Sequence, residues 1–200
     1  MGIRREQREK RRREILEAAL ELFVSKGYAE TKISDIADKA GASVGLLFHY
    51  FESKASLYEE LVWIGAKGPM TVMEADERDP LKFFEGAAAY ILSSLRDEPF
   101  ASRMFVFMTQ ARMGASLPEP LRELARQRET LEKTASIVSK GQALGQIRAG
   151  NPEALAALFW QALSGVALYA AFNPEAPMPE ADWIVACLRN PERARGDVGW

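Results

Sequence analysis

The chain has 200 residues, 48% hydrophobic and 27% charged, with one cysteine and a net charge of −2. This is the composition of an ordinary globular protein with enough apolar content for one large domain or two small ones. It excludes an intramolecular disulfide, offers no thiolate metal cluster, and sets up no global attraction to a polyanion.

The positive charge is concentrated at one end. Residues 1–13 carry Arg4, Arg5, Arg8, Lys10, Arg11, Arg12 and Arg13 against Glu6 and Glu9. Taken alone, such a run is a solvated, frayed terminus or an arm for a polyanion. It passes into a helical pattern without the apolar stretch of a signal peptide. In that first helix Ile15, Ala18, Ala19, Leu22 and Phe23 recur at helical spacing, and Gly27 is the expected C-cap. A second helix, Lys32 to Ala40, places Ile33, Ile36, Ala37 and Ala40 on one face, capped by Thr31 or a neighbour and stopped at Gly41. A four-residue turn leads into a third short helix ending near Phe51. Ser53 then caps a fourth helix carrying Leu57, Leu61 and Ile64.

Gly68-Pro69 is expected to kink or end that helix, and Asp79-Pro80 opens a fifth running to about Arg96. Pro99 and Pro118 begin two more, the second giving a long amphipathic helix over Leu121 to Leu144. Asn151-Pro152 opens an alanine-rich helix that Asn173-Pro174 closes, and a last helix over about Pro179 to Arg189 precedes a polar tail. No window shows strand-type alternation and no repeat has a fixed period. The expected fold is all-α, with about nine helices. Residues 1–53 form a helix-turn-helix unit with a basic arm, and residues 54–200 a larger helical domain, with the fourth helix as hinge.

Ala154 to Phe172 contains no charge over nineteen residues, the minimum for a membrane span. Seven of the nineteen are alanine and no basic cluster follows, so a helix buried on most sides in a soluble assembly is expected instead. A cytoplasmic protein with no membrane partner follows.

Three short helices, the second and third joined by a glycine turn, are the parts of a helix-turn-helix. The first two bury Leu22, Phe23, Ile33, Ile36 and Ala37 and hold the third outward for the major groove. The run Thr31-Lys32-Ile33-Ser34-Asp35-Ile36-Ala37, then Ala40-Gly41, then Val44 to Phe51, then Lys54 and Leu57, closely resembles the TetR family of repressors. The resemblance covers about residues 10–60. It implies a ligand-responsive repressor that binds a near-palindromic operator on double-stranded DNA as a homodimer. The DNA-contacting residues it implies are Thr31, Lys32, Ser34, Ser43, Val44, Gly45, Leu46, Phe48, His49, Tyr50 and Lys54. Two departures stand out. Phe48 occupies a position where the family usually has a phosphate-binding tyrosine, and Val44, Gly45 and Leu46 replace polar residues. Readout then leans on contact with thymine methyls, with His49 and Tyr50 near the backbone. Val44, Leu47 and Phe51 are also spaced i, i+3, i+7, so Val44 fits a core position equally well. His49 fits a structural surface role as well as a DNA contact. Lys54, just after a cap, makes sense if a phosphate shares the helix end.

Leu155, Leu158, Phe159, Ala162, Val166 and Tyr169 form one apolar stripe and Trp183, Ile184, Cys187 and Leu188 another. A four-helix bundle of these last two helices from two chains would join the dimer. The aromatics and methionines between hinge and interface are mostly core. The resemblance implies a cavity among them for a small apolar or aromatic effector, contacted by some of Trp63, Phe84, Met104, Phe107, Met108 and Trp160. No cofactor, metal or catalytic residue is called for: the only histidine lies in the third helix, and no phosphate loop or paired-carboxylate motif is present. The rival to a DNA reader is a protein-interaction module that has kept the three-helix unit, for which Phe48 speaks most directly.

Overall fold

Helices form wherever the apolar spacing asks for them, and glycines and capping side chains decide where they stop. The computed structural model describes residues 2–71, 79–114, 117–126, 129–173 and 175–192. Over these it contains α1 (Gly2–Glu30), α2 (Ile33–Lys39), α3 (Val44–Tyr50), α4 (Lys54–Thr71), α5 (Pro80–Asp97), α6 (Pro99–Met113), α7 (Glu119–Ala125), α8 (Glu129–Ala143), α9 (Pro152–Phe172) and α10 (Ala181–Val185). The fold is all-α. By its contacts the chain divides into two units, residues 1–66 with 103–126 and residues 67–102 with 127–200.

In the first unit Ile15, Ala19, Phe23, Ile36, Ala37, Leu47, Leu57 and Leu61 are buried together. Phe23 lies at the centre: its ring meets Tyr58 edge-on at 5.2 Å, and Tyr58 in turn lies 4.7 Å from Phe107 of α6. Gly27 has φ +80°, a backbone state that costs a residue with a Cβ, and it breaks α1 where the spacing predicted. Gly41 (φ +59°) ends α2 in a Schellman motif, with its own N–H on Asp38 O and that of Ala42 on Ala37 O. Ser43 then caps α3 by accepting from Leu46 N–H at 3.1 Å. Ser53 and Ser56 cap α4 reciprocally, each hydroxyl oxygen accepting the other's backbone N–H at 3.0–3.1 Å. α4 continues through Gly68-Pro69 to Thr71 rather than ending there.

Two of the residues expected at DNA, the buried Thr31 and the half-buried Lys54, make bonds within this unit. Thr31 does not cap α2, whose N-cap is Lys32. It is buried, and its hydroxyl donates to Gly27 O at 2.7 Å and Leu22 O at 3.3 Å. The Lys54 ammonium donates to Tyr28 O at 2.7 Å, Thr31 O at 2.8 Å and Ala29 O at 3.4 Å, and lies 4.3 Å from the Tyr28 ring centre. Its three N–H bonds therefore have acceptors without a phosphate. The reason is the kink at Gly27, which brings the last carbonyls of α1 and that of Thr31 to one point where a cation satisfies them. Partial burial lowers the pKa of Lys54, and the Glu30 carboxylate opposes that shift. Burial likewise raises the pKa of the Tyr58 phenol.

In the second unit the buried face of α5, including Phe83, Phe84, Ala87, Ile91 and Leu95, packs against α8, α9 and α10. Phe84 meets Phe159 edge-on at 4.9 Å, Phe159 meets Trp160 at 5.4 Å, and the Trp160 indole N–H donates to the buried Thr134 hydroxyl at 3.2 Å. Two expectations change here. The helix expected over Leu121 to Leu144 is two, since α7 closes at Arg126, whose N–H turns back to Arg122 and Glu123 carbonyls. The last helix stops at Val185 rather than Arg189. There the chain turns so that Arg148 N–H reaches Leu188 O at 2.8 Å and Asn190 N–H reaches Gln146 O at 3.0 Å, a short antiparallel bridge no helix could make. The polar tail from 193 onward and Pro174 lie outside the described residues.

The α9 pattern also divides differently from the expected stripe. Ala156, Phe159, Leu163 and Ala167 are buried, while Ala154, Leu158, Gln161, Gly165, Leu168, Tyr169 and Phe172 form an exposed row along the helix. Phe159 thus belongs to the core, whereas Phe172 is 74% exposed and Trp183 of α10 is 69% exposed. α9 is long and apolar enough to cross a membrane by length and composition, and most of it is not buried within this chain.

The Lys54 arrangement makes a direct prediction. Lys54→Met leaves three carbonyls short of a donor and lowers the stability of the DNA-free protein by about 1–3 kcal/mol, read from urea unfolding. A lysine that served only a phosphate would leave that curve unmoved.

Candidate nucleic-acid interface

α3 is seven residues long, too short to hold its shape alone, so its orientation is set by what lies behind it. Leu47 and Phe51 are buried against the first unit. The remaining residues therefore face outward: Val44, Gly45, Leu46, Phe48 and His49 are all exposed, and Tyr50 is half-buried. This answers the open question about Val44, which is 40% exposed and not core. Phe48 is 48% exposed. A Cβ added at Gly45 would meet nothing within 4 Å, so a groove wall can approach the backbone there.

Around this row stand polar groups. Lys32 and Ser34 are exposed at the start of α2, and Ser43 is exposed at the N-terminus of α3, where its oxygen accepts the cap bond and its O–H remains able to donate. His49 and Tyr50 are in edge-to-face contact at 5.6 Å. Lys26 and Asp35 pair at 3.2 Å between α1 and α2, and that hydrogen bond lowers the Asp35 carboxyl pKa. Of the eleven expected DNA residues, nine lie on or beside this outward surface. Thr31 and Lys54 serve the support behind it.

Sequence spacing missed two further supports. The Arg11 guanidinium donates to Ala40 O at 3.1 Å, gripping the turn between α2 and α3, and also pairs with Glu14 at 2.8 Å. Arg12 lies over the Phe51 ring, 5.0 Å from its centre, and binds both oxygens of Glu60 on α4. Their signal was present: both fall one turn before Ile15 and Leu16, on the side of α1 that the core occupies.

The surface carries groups for two kinds of contact. Val44, Leu46 and Phe48 offer apolar contact of the kind thymine methyls accept, and Lys32, Ser34, Ser43, His49 and Tyr50 offer hydrogen-bond donors for phosphates. Among the described residues no cluster of His, Cys, Asp or Glu could hold a metal ion.

The six expected effector residues are distributed over both units. Met104, Phe107 and Met108 are buried in the first, where Phe107 packs on Tyr58, and a Cβ at Gly65 of α4 would meet Met108 at 2.6 Å. Trp63 belongs to the same unit and is exposed. Phe84 is buried in the second unit, where Trp160 is half-buried. The side chains buried here are core first, and only Trp63 and Trp160 of the six reach the surface.

The family model described as "Bacterial regulatory proteins, tetR family" matches residues 15–61, from the middle of α1 to α4. The HTH-type transcriptional repressor KstR2 of Rhodococcus jostii (strain RHA1) is 44% identical over 52 residues, 26% of either chain. KstR2 of Mycolicibacterium smegmatis is 27% identical over 143 residues, covering 69% of this chain and 68% of that protein. The first of these matches thus spans about a quarter of the relative's length and the second about two thirds. Among solved structures, AibR in complex with isovaleryl coenzyme A and operator DNA superposes with a TM-score of 0.65 at 19% identity. That match covers 90% of this chain and 99% of the other, and it is a likeness of fold. A helix-turn-helix of this geometry lies inside the segment that matches the tetR-family model, and the relatives to which the chain is similar are named as transcriptional repressors.

Proposed function

We propose that this protein is a ligand-responsive transcriptional repressor that binds a near-palindromic operator as a homodimer and leaves it when a small apolar or aromatic effector binds. The observation that carries this is the outward row of Val44, Leu46, Phe48 and His49 on a helix fixed from behind by Leu47 and Phe51. Exposed apolar side chains on a helix-turn-helix make sense when a groove covers them. On this reading residues 1–53 read DNA, and residues 54–200 bind effector and partner copy. Lys32, Ser34, Ser43, His49 and Tyr50 position the backbone, while Val44, Gly45, Leu46 and Phe48 face the bases. Repression draws support from the KstR2 relatives, which are named as repressors, and a small-molecule effector from AibR, a protein of like fold solved with isovaleryl coenzyme A and operator DNA. The site of action is the cytoplasm, where the operator is.

The homodimer rests on the exposed row of α9. Leu158, Leu168, Tyr169 and Phe172, with Trp183 of α10, form an apolar face that one chain leaves uncovered, and Gly165 lets a partner backbone come close. A single seven-residue recognition helix gives few phosphate contacts, and two related by a dyad give the number an operator needs.

Selection of bound duplexes from a random library should return a near-palindrome. A complex neutralising about 6–10 phosphates should weaken about 10³- to 10⁵-fold between 50 and 200 mM salt. Recovery of unrelated sequences with no shared motif would leave the protein-interaction reading in its place. Leu158→Glu with Phe172→Glu should give monomers in sedimentation that no longer retain the duplex. Gel-shift titrations against an apolar compound series should release it. Complexes that persist with every compound would remove the effector from the account.

A further inference from the structure

The outward side of α3 is not uniform. At about 100° per residue, Gly45 and His49 lie opposite the buried Leu47, and Val44 and Phe48 stand one above the other along one edge of the helix. Val44 is 40% and Phe48 48% exposed, while Leu47 and Phe51 already fill the inward positions. Four residues apart, with about 5–6 Å between their Cβ atoms, the two side chains form one continuous apolar ridge. Beside it Gly45 has no side chain, and a Cβ there would meet nothing within 4 Å, so the helix can settle deeply without the ridge being held off. On the same surface are exposed donors, Ser43 at the start of α3 and Lys32 and Ser34 at the start of α2. An apolar strip among hydroxyls and a cation complements a partner that sets methyl groups beside phosphates, as the wall of a DNA major groove does.

We propose that the Val44–Phe48 ridge reads the C5-methyl group of pyrimidines, so that it accepts 5-methylcytosine in place of thymine and makes operator binding respond to cytosine methylation. This rests on the proposed DNA-binding function, because the ridge takes its ligand from the duplex that α3 enters. The chemistry follows from what the two side chains lack. Thymine and 5-methylcytosine present the same methyl in the major groove and differ there at position 4, where one has an accepting oxygen and the other a donating amino group. Valine and phenylalanine side chains carry no hydrogen-bonding atom, so they do not tell the two apart. They do sense the methyl, since its removal from water against them is favourable, and cytosine or uracil leaves that space to water. The C5 position also lies toward the backbone side of the base edge, where a ridge on the flank of the helix makes contact. Full burial of one methyl is worth about fourfold in affinity, and the symmetric pair in two half-sites about fifteenfold.

The test uses the full chain and the selected operator. Thymines are replaced by uracil one symmetric pair at a time, which removes the methyl and keeps the base pairing. At least one replacement should weaken binding about fifteenfold. At that position a C·G pair is then compared with a 5-methylcytosine·G pair, and the methylated duplex should bind more tightly by about the same factor. Val44→Ala with Phe48→Ala should bind the thymine and uracil duplexes alike, and the cytosine and 5-methylcytosine duplexes alike. Phe48→Leu, which keeps the ridge apolar, should retain most of the discrimination. Three results overturn the proposal: uracil without effect at every position, equal affinity for the methylated and unmethylated C·G duplexes, or a uracil effect that persists in the alanine variant. A wild type that prefers no selected duplex overturns the regulator reading itself.

Discussion

The outward row of α3 depends on a polar latch behind it. α1 kinks at Gly27, and its last carbonyls, those of Tyr28 and Ala29, come to one point with that of Thr31. The Lys54 ammonium at the start of α4 collects all three, while the Thr31 hydroxyl ties the same segment back to Gly27 and Leu22. Lysine fits this role because a flexible stem brings three donors to one point. One cation thus fixes the end of α1, the entry to α2 and the start of α4. The Tyr28 ring beneath it touches Tyr58 edge-on at 5.2 Å, and Tyr58 continues the contact to Phe23 and Phe107. The latch and the aromatic core are one structure.

Its consequence is a recognition helix whose stability comes from elsewhere. Seven residues do not make a stable helix in water. Ser43 satisfies one end, Phe51 under Arg12 secures the other, and Leu47 anchors the middle. With the inward positions so occupied, the outward ones are free of structural duty. That freedom is what lets the apolar Val44, Leu46 and Phe48 stand outward without cost to the fold, and on the proposed DNA-binding reading it moves specificity toward shape and methyl contact. The second unit follows the same logic on α9: Phe159 and Leu163 serve the core, which leaves Leu158, Tyr169 and Phe172 available to a partner.

Periodicity in the sequence located nearly every helix, because burial of one face is what drives each to form. Ile15, Ala19, Phe23, Ile36 and Leu47 were legible as core on spacing alone, and Gly27, Gly41 and Ser53 as boundaries on capping chemistry. Polar side chains were not legible in the same way. Lys54 and Thr31 read as phosphate ligands because their residue types and places in the motif fit that role. Only the three-dimensional course of the chain after Gly27 brings backbone carbonyls to them. Val44 was undecidable for the opposite reason, since its spacing fits core and its exposure depends on how α3 is rolled. The early end of α10 turns on backbone pairing, which leaves no trace in apolar periodicity.

Amide hydrogen exchange on the full chain, with and without the selected operator duplex, tests the central claim most directly. The account predicts new protection over residues 43–50 with the operator and much weaker protection with a scrambled duplex, while the Leu57 and Leu61 amides of the supporting core stay protected throughout. Protection over 43–50 that is the same for both duplexes, or absent with either, would contradict it.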